Sequence, residues 1–564
     1  MRVALAQLDA VVGDVAGNAA RIDAAAGEAR RLGATLVLTP ELSLVGYPPR
    51  DLLERPDLPG ACLDAAAMLA RRHADLTLLV GLPRRVEGDP RPLRNSVAVL
   101  RGGVIETFAD KRLLPSYDVF EEDRFFTPGD RSFVFDHEGS RMGVAICEDL
   151  WRAEDAGSIR RYQVAPLADL EAAGCMVVLS PSASPFVRGK HRRHLAQLAA
   201  ASRVTGAVVV SVNQVGGNDE LIFDGGSAVA RGGRIEHRLP RFREALACVD
   251  LSVGGCVGVD DSEHANEPDA GSIGECFEAI VCGLRGYLVK TGHHGVLLGL
   301  SGGIDSAVVA ALGVAAVGPE RVRAVMMPSR FSSEGSLRDA EESIARLRMS
   351  AACTVPIEPI HRALRDALTP AMGPPQGVVD ENLQSRVRGT LMMAFANDSG
   401  DLLLTTGNKS ELAVGYATLY GDMNGGLAPI GDLLKTEVYA LARWMNHHHQ
   451  SLGFAAPPIP EASIEKAPSA ELRPDQTDQD SLPPYEALDA VVRAWVEGSE
   501  NAARIAAQTG MPIGEVERLL GSIDRAEFKR KQAPPILKLS ARAFGRGRPM
   551  PLAGRWRPAP PTLA

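Results

Sequence analysis

Three residues in the first half of the chain could carry acyl-transfer chemistry. They are a carboxylate, Glu41 in TPELSLVGYPPRDLL; an amine, Lys111 in FADKRLLPSYDVFEEDRFF; and a thiol, Cys147 in MGVAICEDLW. A free thiol is only slightly ionised at neutral pH and needs a base before it can attack. A glutamate whose pKa is raised by burial can take that proton. A lysine ammonium can steady the oxyanion of a tetrahedral intermediate. Taken singly, each has a plainer reading. A cysteine on an apolar strand is usually core, and a glutamate before a turn or a lysine before an arginine is usually solvated. Spacing alone does not bring the three together.

A second constellation lies in Val296–Leu312, VLLGLSGGIDSAVVAAL. An apolar run of strand length meets a small-residue turn, Ser301-Gly302-Gly303, and an Ala/Val-rich helix follows from Ser306. Unpaired amides at a helix start, with two glycines that let backbone approach closely, hold phosphate. The turn is not a Walker A loop, because no second Gly-Lys-Ser/Thr follows Gly299. It places Asp305 beside the phosphates instead, where a carboxylate would repel them unless Mg²⁺ lay between. A second carboxylate suited to Mg²⁺ is Glu411 in DLLLTTGNKSELAVGYATLYGD, one short turn after Thr406. Lys435, in PIGDLLKTEVYALARW, either faces phosphate or opens a helix.

The elements that must position these residues follow from pattern. The chain has 564 residues, too many for one core, so two or three domains are expected. Hydrophobic residues at 45% and charged residues at 23% are ordinary globular composition, and a net charge of −9 argues against a general nucleic-acid binder. The start has no signal-peptide core, and no apolar run reaches membrane-spanning length. Eight scattered cysteines without a CxxC pair point to a reducing cytoplasm rather than a disulfide framework or zinc site. In the first half, strands and helices alternate in an α/β layered domain, and Glu41, Lys111 and Cys147 each fall at or near a strand end. Acidic, Gly/Pro-containing residues then give a linker over 256–272, dividing a domain 1–255 from a domain 273–564. In the second half, strands at 296–300, 322–327, 355–360 and 401–406 separated by helices predict a doubly wound parallel sheet. Residues 485–520 read as helical.

The motifs also carry a resemblance. PELSLVGYPPRDLL, DKRLLPSYDVFEEDRFF and ICEDLW resemble, in order, the three signature blocks of the nitrilase (carbon–nitrogen hydrolase) superfamily in its glutaminase branch. The resemblance implies an αββα sandwich with Glu41 as base, Lys111 as its lysine partner and Cys147 as nucleophile. It also implies a further acidic position at Glu122 and a glutamine pocket using Tyr117, Ser184 and Lys190. Glu121 stands where that family more often has Asp. SGGIDS resembles the pyrophosphate loop of the ATP pyrophosphatases. Together with ENLQSRVRGTLMMAFAN, TTGNKSELAVGYATLYGDMNGGLAPIGDLLKTEVYALARW and EFKRKQAPPILKLS, it resembles the NAD synthetases. By that resemblance Gly299, Leu300, Ser301, Gly302, Gly303, Ile304, Asp305, Ser306 and Thr406 hold ATP. Asp305 and Glu411 hold Mg²⁺, and Asn382, Glu411 and Lys529 lie near deamido-NAD⁺. The order of all blocks is similar to the glutamine-dependent NAD synthetase family. That family implies a cytoplasmic homo-oligomeric ligase acting on L-glutamine, ATP and deamido-NAD⁺, without nucleic-acid or membrane partners. The rivals are another glutamine-fed ATP pyrophosphatase, an amidase with a nucleotide-sensing second domain, and a scaffold with degenerate sites.

Overall fold

From the first strand, Arg2–Gln7, Val3 and Leu5 point to one core while Ala4 and Ala6 point to another. This period-two alternation sets the layering of the first half. In the computed structural model, which describes residues 1–89, 91–151, 162–252, 254–258 and 267–554, the chain forms two compact units, Met1–Gly292 and His293–Ala564.

The first unit contains two packed sheets. One has seven strands in the order Cys256–Val257, Ala245–Asp250, Arg2–Gln7, Leu36–Leu38, Thr77–Arg85, Leu93–Arg101 and Val104–Asp110. The other has six, in the order Arg234–Arg238, Ala228–Arg231, Val208–Asn213, Val177–Ser182, Ser140–Val144 and Phe133–His137. Their facing sides form one core, with Val3, Leu5, Leu38 and Leu79 against Met142, Leu179 and Val210. Helices Val15–Arg31 and Leu58–Arg72 cover the outer face of the first sheet through Ile22, Ala26, Ala66 and Leu69. Helices Pro166–Ala172 and Lys190–Thr205 cover the second through Leu170, Leu198 and Ala201. The layers are therefore α, β, β, α, as the sequence leads one to expect.

The helix Ile273–Thr291, which the sequence reading assigned to the second domain, belongs to the first compact unit. The reason is a glycine-lined contact with the hairpin Val215–Asn218/Leu221–Asp224. A Cβ on Gly217 would lie 2.7 Å from the Gly283 carbonyl oxygen, and one on Gly286 would lie 2.6 Å from the Gly217 nitrogen. Backbone meets backbone there, and only glycine permits it. At the helix's far end, Lys290 pairs with Asp9 and donates to Asn218 Oδ1 at 2.7 Å. Of the expected linker, Cys256–Val257 instead forms the edge strand paired with Ala245–Asp250, and residues 259–266 lie outside the described residues.

The second unit is built on four parallel strands in the order Ala351–Thr354, Val322–Met326, Val296–Gly299 and Leu402–Leu403. Helix Val378–Ser399 covers the face carrying Leu297, Val325 and Leu403 through Met392. Helix Ile304–Val317 covers the opposite face, its Gly313 set against Val296 and Val322. This doubly wound sheet matches the expected fold class, with one correction. The third strand is Ala351–Thr354, and most of 355–360 instead leads into and opens the helix Glu358–Met372. Pro356 cannot donate to a ladder, and Pro359 suits the first turn of a helix. The strand order reverses between Val296–Gly299 and Leu402–Leu403, the switch point beside which open α/β sheets bind ligands. The expected helical stretch 485–520 resolves into Tyr485–Val492, a π turn at Arg493–Glu497, Ala502–Thr509 and Ile513–Arg525, packed on one another through Val491, Ile505 and Leu519. Among the described residues, no helix is long and apolar enough to cross a membrane.

Candidate active sites

Strand ends of the first unit deliver the acyl-transfer residues to one place. Glu41 follows strand Leu36–Leu38 in a buried turn. That turn crosses strand Thr77–Arg85 at Gly81, where a Cβ would lie 2.3 Å from the Leu42 nitrogen. Lys111 follows strand Val104–Asp110, and its backbone N–H donates to the Asn95 carbonyl at 2.8 Å. Glu122 opens the short helix Glu122–Phe125. The Lys111 ammonium donates to Glu41 Oε1 at 2.6 Å and to Glu122 Oε1 at 2.7 Å. Asn95 Nδ2 adds a second donor to Glu41 Oε1 at 2.7 Å, and Tyr47 OH donates to Glu122 Oε1 at 2.8 Å. Glu41 Oε2 accepts from the Ala183 N–H at a longer 3.2 Å.

Cys147 follows strand Ser140–Val144 and opens the 3₁₀ turn Cys147–Leu150. Its φ is +46°, left-handed for a non-glycine residue. Such a conformation costs roughly 1–3 kcal/mol, and such outliers cluster at functional sites. The residue is partly exposed while its neighbours on both sides are buried. Burial pushes its thiol well above the ordinary range and the Glu41 charge adds to this, against the pull of Lys111. The thiol therefore rests protonated and needs a base during attack. Burial works against the charge on Lys111, but Glu122 and Glu41 more than offset it and hold the group as ammonium. Burial pushes Glu122 up to about 7, against the pull of Lys111.

The three residues expected around glutamine flank this centre. Tyr117 OH donates at 2.9 Å to Glu148, the residue after Cys147, and Tyr162 OH donates to the other oxygen of Glu148 at 2.8 Å. Ser184 follows Ala183, whose N–H reaches Glu41. Lys190 donates to Ser184 Oγ at 2.6 Å and to the Pro185 carbonyl at 2.9 Å. Lys190 is also the first residue of its helix, a place the helix dipole disfavours for a cation.

The second constellation lines a cavity of about 760 Å³ within the second unit. Gly299, Leu300, Ser301, Gly303, Ile304, Asp305 and Ser306 line it, as do Thr406, Asn382, Glu411 and Lys529. Gly302 does not line it. With φ +82° it packs against the start of helix Glu334–Leu347, where a Cβ would lie 2.1 Å from the Ser336 carbonyl oxygen. Ser306 closes the loop by donating to the Gly303 carbonyl at 2.9 Å. Lys435 lines the cavity and also begins helix Lys435–His447. Its ammonium pairs with Asp305 and donates to Glu411 Oε1 at 3.2 Å. Burial opposes the charge on Lys435, and Asp305 and Glu411 together more than offset it, raising its pKa. Burial pushes Glu411 up to about 7, against Lys435 and with help from Asp305. Asn382 accepts from Thr418 Oγ1 at 2.9 Å, and Lys529 donates to the carbonyls of Gly415 and Ala417 at 2.7 and 2.6 Å.

Among the described residues there is no group of three or more His, Cys, Asp or Glu that could cage a metal. A pair of oxygen ligands is what Mg²⁺ asks of a protein when substrate phosphates and water complete its shell. Asp305 and Glu411 already share one cation, Lys435, so this pair fits such an ion.

Comparison with known proteins covers both halves. The family model described as carbon-nitrogen hydrolase matches residues 2–259, and the one described as NAD synthase matches residues 276–533. The glutamine-dependent NAD(+) synthetase of Synechocystis sp. is 44% identical over 565 positions, covering 99% of both chains. That of Xanthomonas campestris pv. campestris is 43% identical, covering 98% of this chain and 97% of the other. The solved structure of glutamine-dependent NAD⁺ synthetase from Acinetobacter baumannii, in complex with ADP, is 36% identical, with a TM-score of 0.75 and 98% of each chain covered. The chain belongs to the glutamine-dependent NAD(+) synthetase family. Its activity is that of a carbon–nitrogen ligase which couples a glutaminase to an NAD synthase. Two residues that hydrogen-bond into these centres carry only faint sequence signals. Asn95 is the lone amide of strand Leu93–Arg101. Asn408 caps helix Lys409–Val414 by accepting from the Glu411 N–H at 3.0 Å, and its Nδ2 donates to Asp305 Oδ1 at 3.0 Å. An Asn three residues before a Glu is a capping pattern, and that was the signal available.

Proposed function

We propose that the first unit hydrolyses the side-chain amide of L-glutamine and that the second uses the released ammonia to convert deamido-NAD⁺ to NAD⁺ at the expense of ATP. The observation that carries this reading is that each unit closes one complete and complementary constellation. One is a thiol beside a carboxylate–ammonium–carboxylate triad; the other is a phosphate loop and two carboxylates at a sheet switch point.

In the first unit, Cys147 Sγ attacks the amide carbon of glutamine. Oε1 of Glu41 already holds two donors, so Oε2 is the atom that takes the thiol proton and returns it to the departing ammonia. The Lys111 ammonium has three N–H donors and spends two on Glu41 and Glu122, leaving one for the oxyanion. Glu41 then takes a proton from water, which opens the glutamyl thioester, releases glutamate and restores the thiol. Tyr117, Ser184 and Lys190 frame the bound amino acid.

In the second unit, residues Gly299–Ser306 and Thr406 hold ATP, and Asn382, Glu411 and Lys529 hold deamido-NAD⁺. Gly302 serves by shaping the loop backbone. Asp305 and Glu411 would hold Mg²⁺, which neutralises charge on the departing pyrophosphate. The nicotinate carboxylate attacks the α-phosphorus, giving an acyl adenylate and pyrophosphate. Ammonia then displaces AMP and yields NAD⁺. Activation is required because a free carboxylate is a poor acyl donor.

Assembly into a homo-oligomer belongs to the same proposal. It is supported by exposed apolar side chains at Ile360, Leu364, Met372, Val378 and Val379 on two successive helices. A cytoplasmic setting fits eight cysteines that are all free.

Two variants test the division of labour. Cys147→Ala abolishes glutamine-driven NAD⁺ formation and leaves ammonium-driven formation intact; loss of both would refute it. Asp305→Ala abolishes synthesis with either nitrogen source, and retained synthesis would remove its metal role.

A further inference from the structure

The Cys147 turn and the Lys111 strand end come from different sheets, and one side chain joins them. Asp149 is buried and belongs to neither the nucleophile nor its triad. Its Oδ1 accepts from the Leu113 N–H at 2.8 Å and from the Arg112 N–H at 3.1 Å, the two residues that follow Lys111. Its Oδ2 accepts from the Ile146 N–H at 3.1 Å, the residue that precedes Cys147. The Asp149 backbone N–H donates back to the Ile146 carbonyl at 3.0 Å. Cys147 is thus enclosed in a small ring closed twice between residues 146 and 149, within which it holds its left-handed φ. The groups hydrogen-bonded to it are all backbone donors, which favour the ionised, acceptor-only carboxylate against the burial that pushes it up to about 7.

We propose that Asp149 is a positioning residue of the glutaminase reaction: its carboxylate fixes the strained Cys147 turn and sets it in register with Lys111. The inference rests on the assignment of Cys147 as the glutamine-cleaving nucleophile. Without the tie, the turn relaxes toward ordinary backbone and the sulfur leaves its place beside the ammonium and Glu41. Binding of glutamine depends on other groups and persists.

Asp149→Asn tests it, because the amide keeps the size but turns an N–H₂ toward backbone donors. Both enzymes are assayed as full chains for glutamine-driven and ammonium-driven NAD⁺ formation. Iodoacetamide labelling of the Cys147 peptide is timed by mass spectrometry. The expected result is a glutamine-driven kcat lower by about 100-fold, the scale of a reacting group displaced by about 1 Å. KM for glutamine stays within about threefold, ammonium-driven synthesis is unchanged, and labelling of Cys147 slows. A kcat within about threefold of the parent overturns the proposal, as does a fallen kcat with unchanged labelling. If Asp149→Asn does not melt like the parent, Asp149→Ser is read by the same assays. If neither variant keeps a cooperative first unit, the carboxylate is simply structural and the proposal fails. Glutamine use by Cys147→Ala would instead break the nucleophile assignment, a failure separable from this one.

Discussion

Replacing Glu122 with glutamine should change how the stability of the first unit depends on pH, and the structure gives the size of the change. With both carboxylates ionised, Glu41, Glu122 and Lys111 sum to one negative charge in a buried space. Burial pushes Glu122 from the ordinary 4.5 up to about 7. Between those values the folded protein binds a proton that the unfolded chain releases. Stability therefore falls as pH rises through this window and levels off above it. The loss is about 3 kcal/mol in full, and about 2–3 kcal/mol between pH 5 and pH 8. Glu122→Gln lacks this term. Its amide oxygen can keep the bonds from Lys111 and Tyr47, and its N–H₂ gives up only the long 3.5 Å bond that Glu122 Oε2 accepts from Asn95 Nδ2. The variant should gain about 2–3 kcal/mol on the parent on going from pH 5 to pH 8. Urea unfolding at pH 5, 6, 7 and 8, read by pulsed hydrogen exchange on peptides spanning residues 93–126, measures it. A difference that stays flat with pH, or that turns against the variant at pH 8, refutes the reasoning.

Two further outcomes follow from the second unit. Lys435→Met leaves the partly buried Asp305 and Glu411 without their shared cation, which should cost about 1–3 kcal/mol in metal-free buffer. Thermal melting should show the loss and its partial recovery with MgATP, whereas an unchanged midpoint would mean that the charges are not coupled. Gly302→Ala sets a methyl 2.1 Å from the carbonyl oxygen of Ser336, a cavity-lining residue, at a φ of +82°, although Gly302 itself does not line the cavity. Ammonium-driven synthesis should fall by at least about tenfold, the equivalent of about 1.4 kcal/mol. Parental kcat with parental KM for ATP would show that the loop tolerates the shift.

What the chain displayed in advance was its reactive vocabulary. Glu41, Lys111 and Cys147 each fall at or near a strand end, but it is the order of the three nitrilase-like blocks around them that singles them out; SGGIDS is legible because its Ser and Asp-Ser flank a Gly pair between strand and helix. The supports were harder to see, since their roles depend on partners distant in sequence. Gly81 matters because the Glu41 turn crosses it, and Asn95 because two carboxylates meet over it. The third strand of the second unit was misplaced by a few residues. Val355, Ile357 and Ile360 look like strand by propensity, while Ala351 and Ala352 do not, yet pairing with Val322–Met326 selects the alanines. The helix Ile273–Thr291 follows a stretch of acidic, Gly/Pro-containing sequence, and composition says nothing about which neighbour its glycine face will meet.

That glycine face decides where the molecule can be dissected. Truncating the gene near codon 260 would strip the hairpin of its covering helix and bare the backbone around Gly217. The liberated C-terminal fragment would begin with an orphaned sticky surface of Gly283, Gly286 and their apolar neighbours. Severing between Gly292 and His293 avoids both exposures, so separately expressed halves have their best prospect of solubility at that bond.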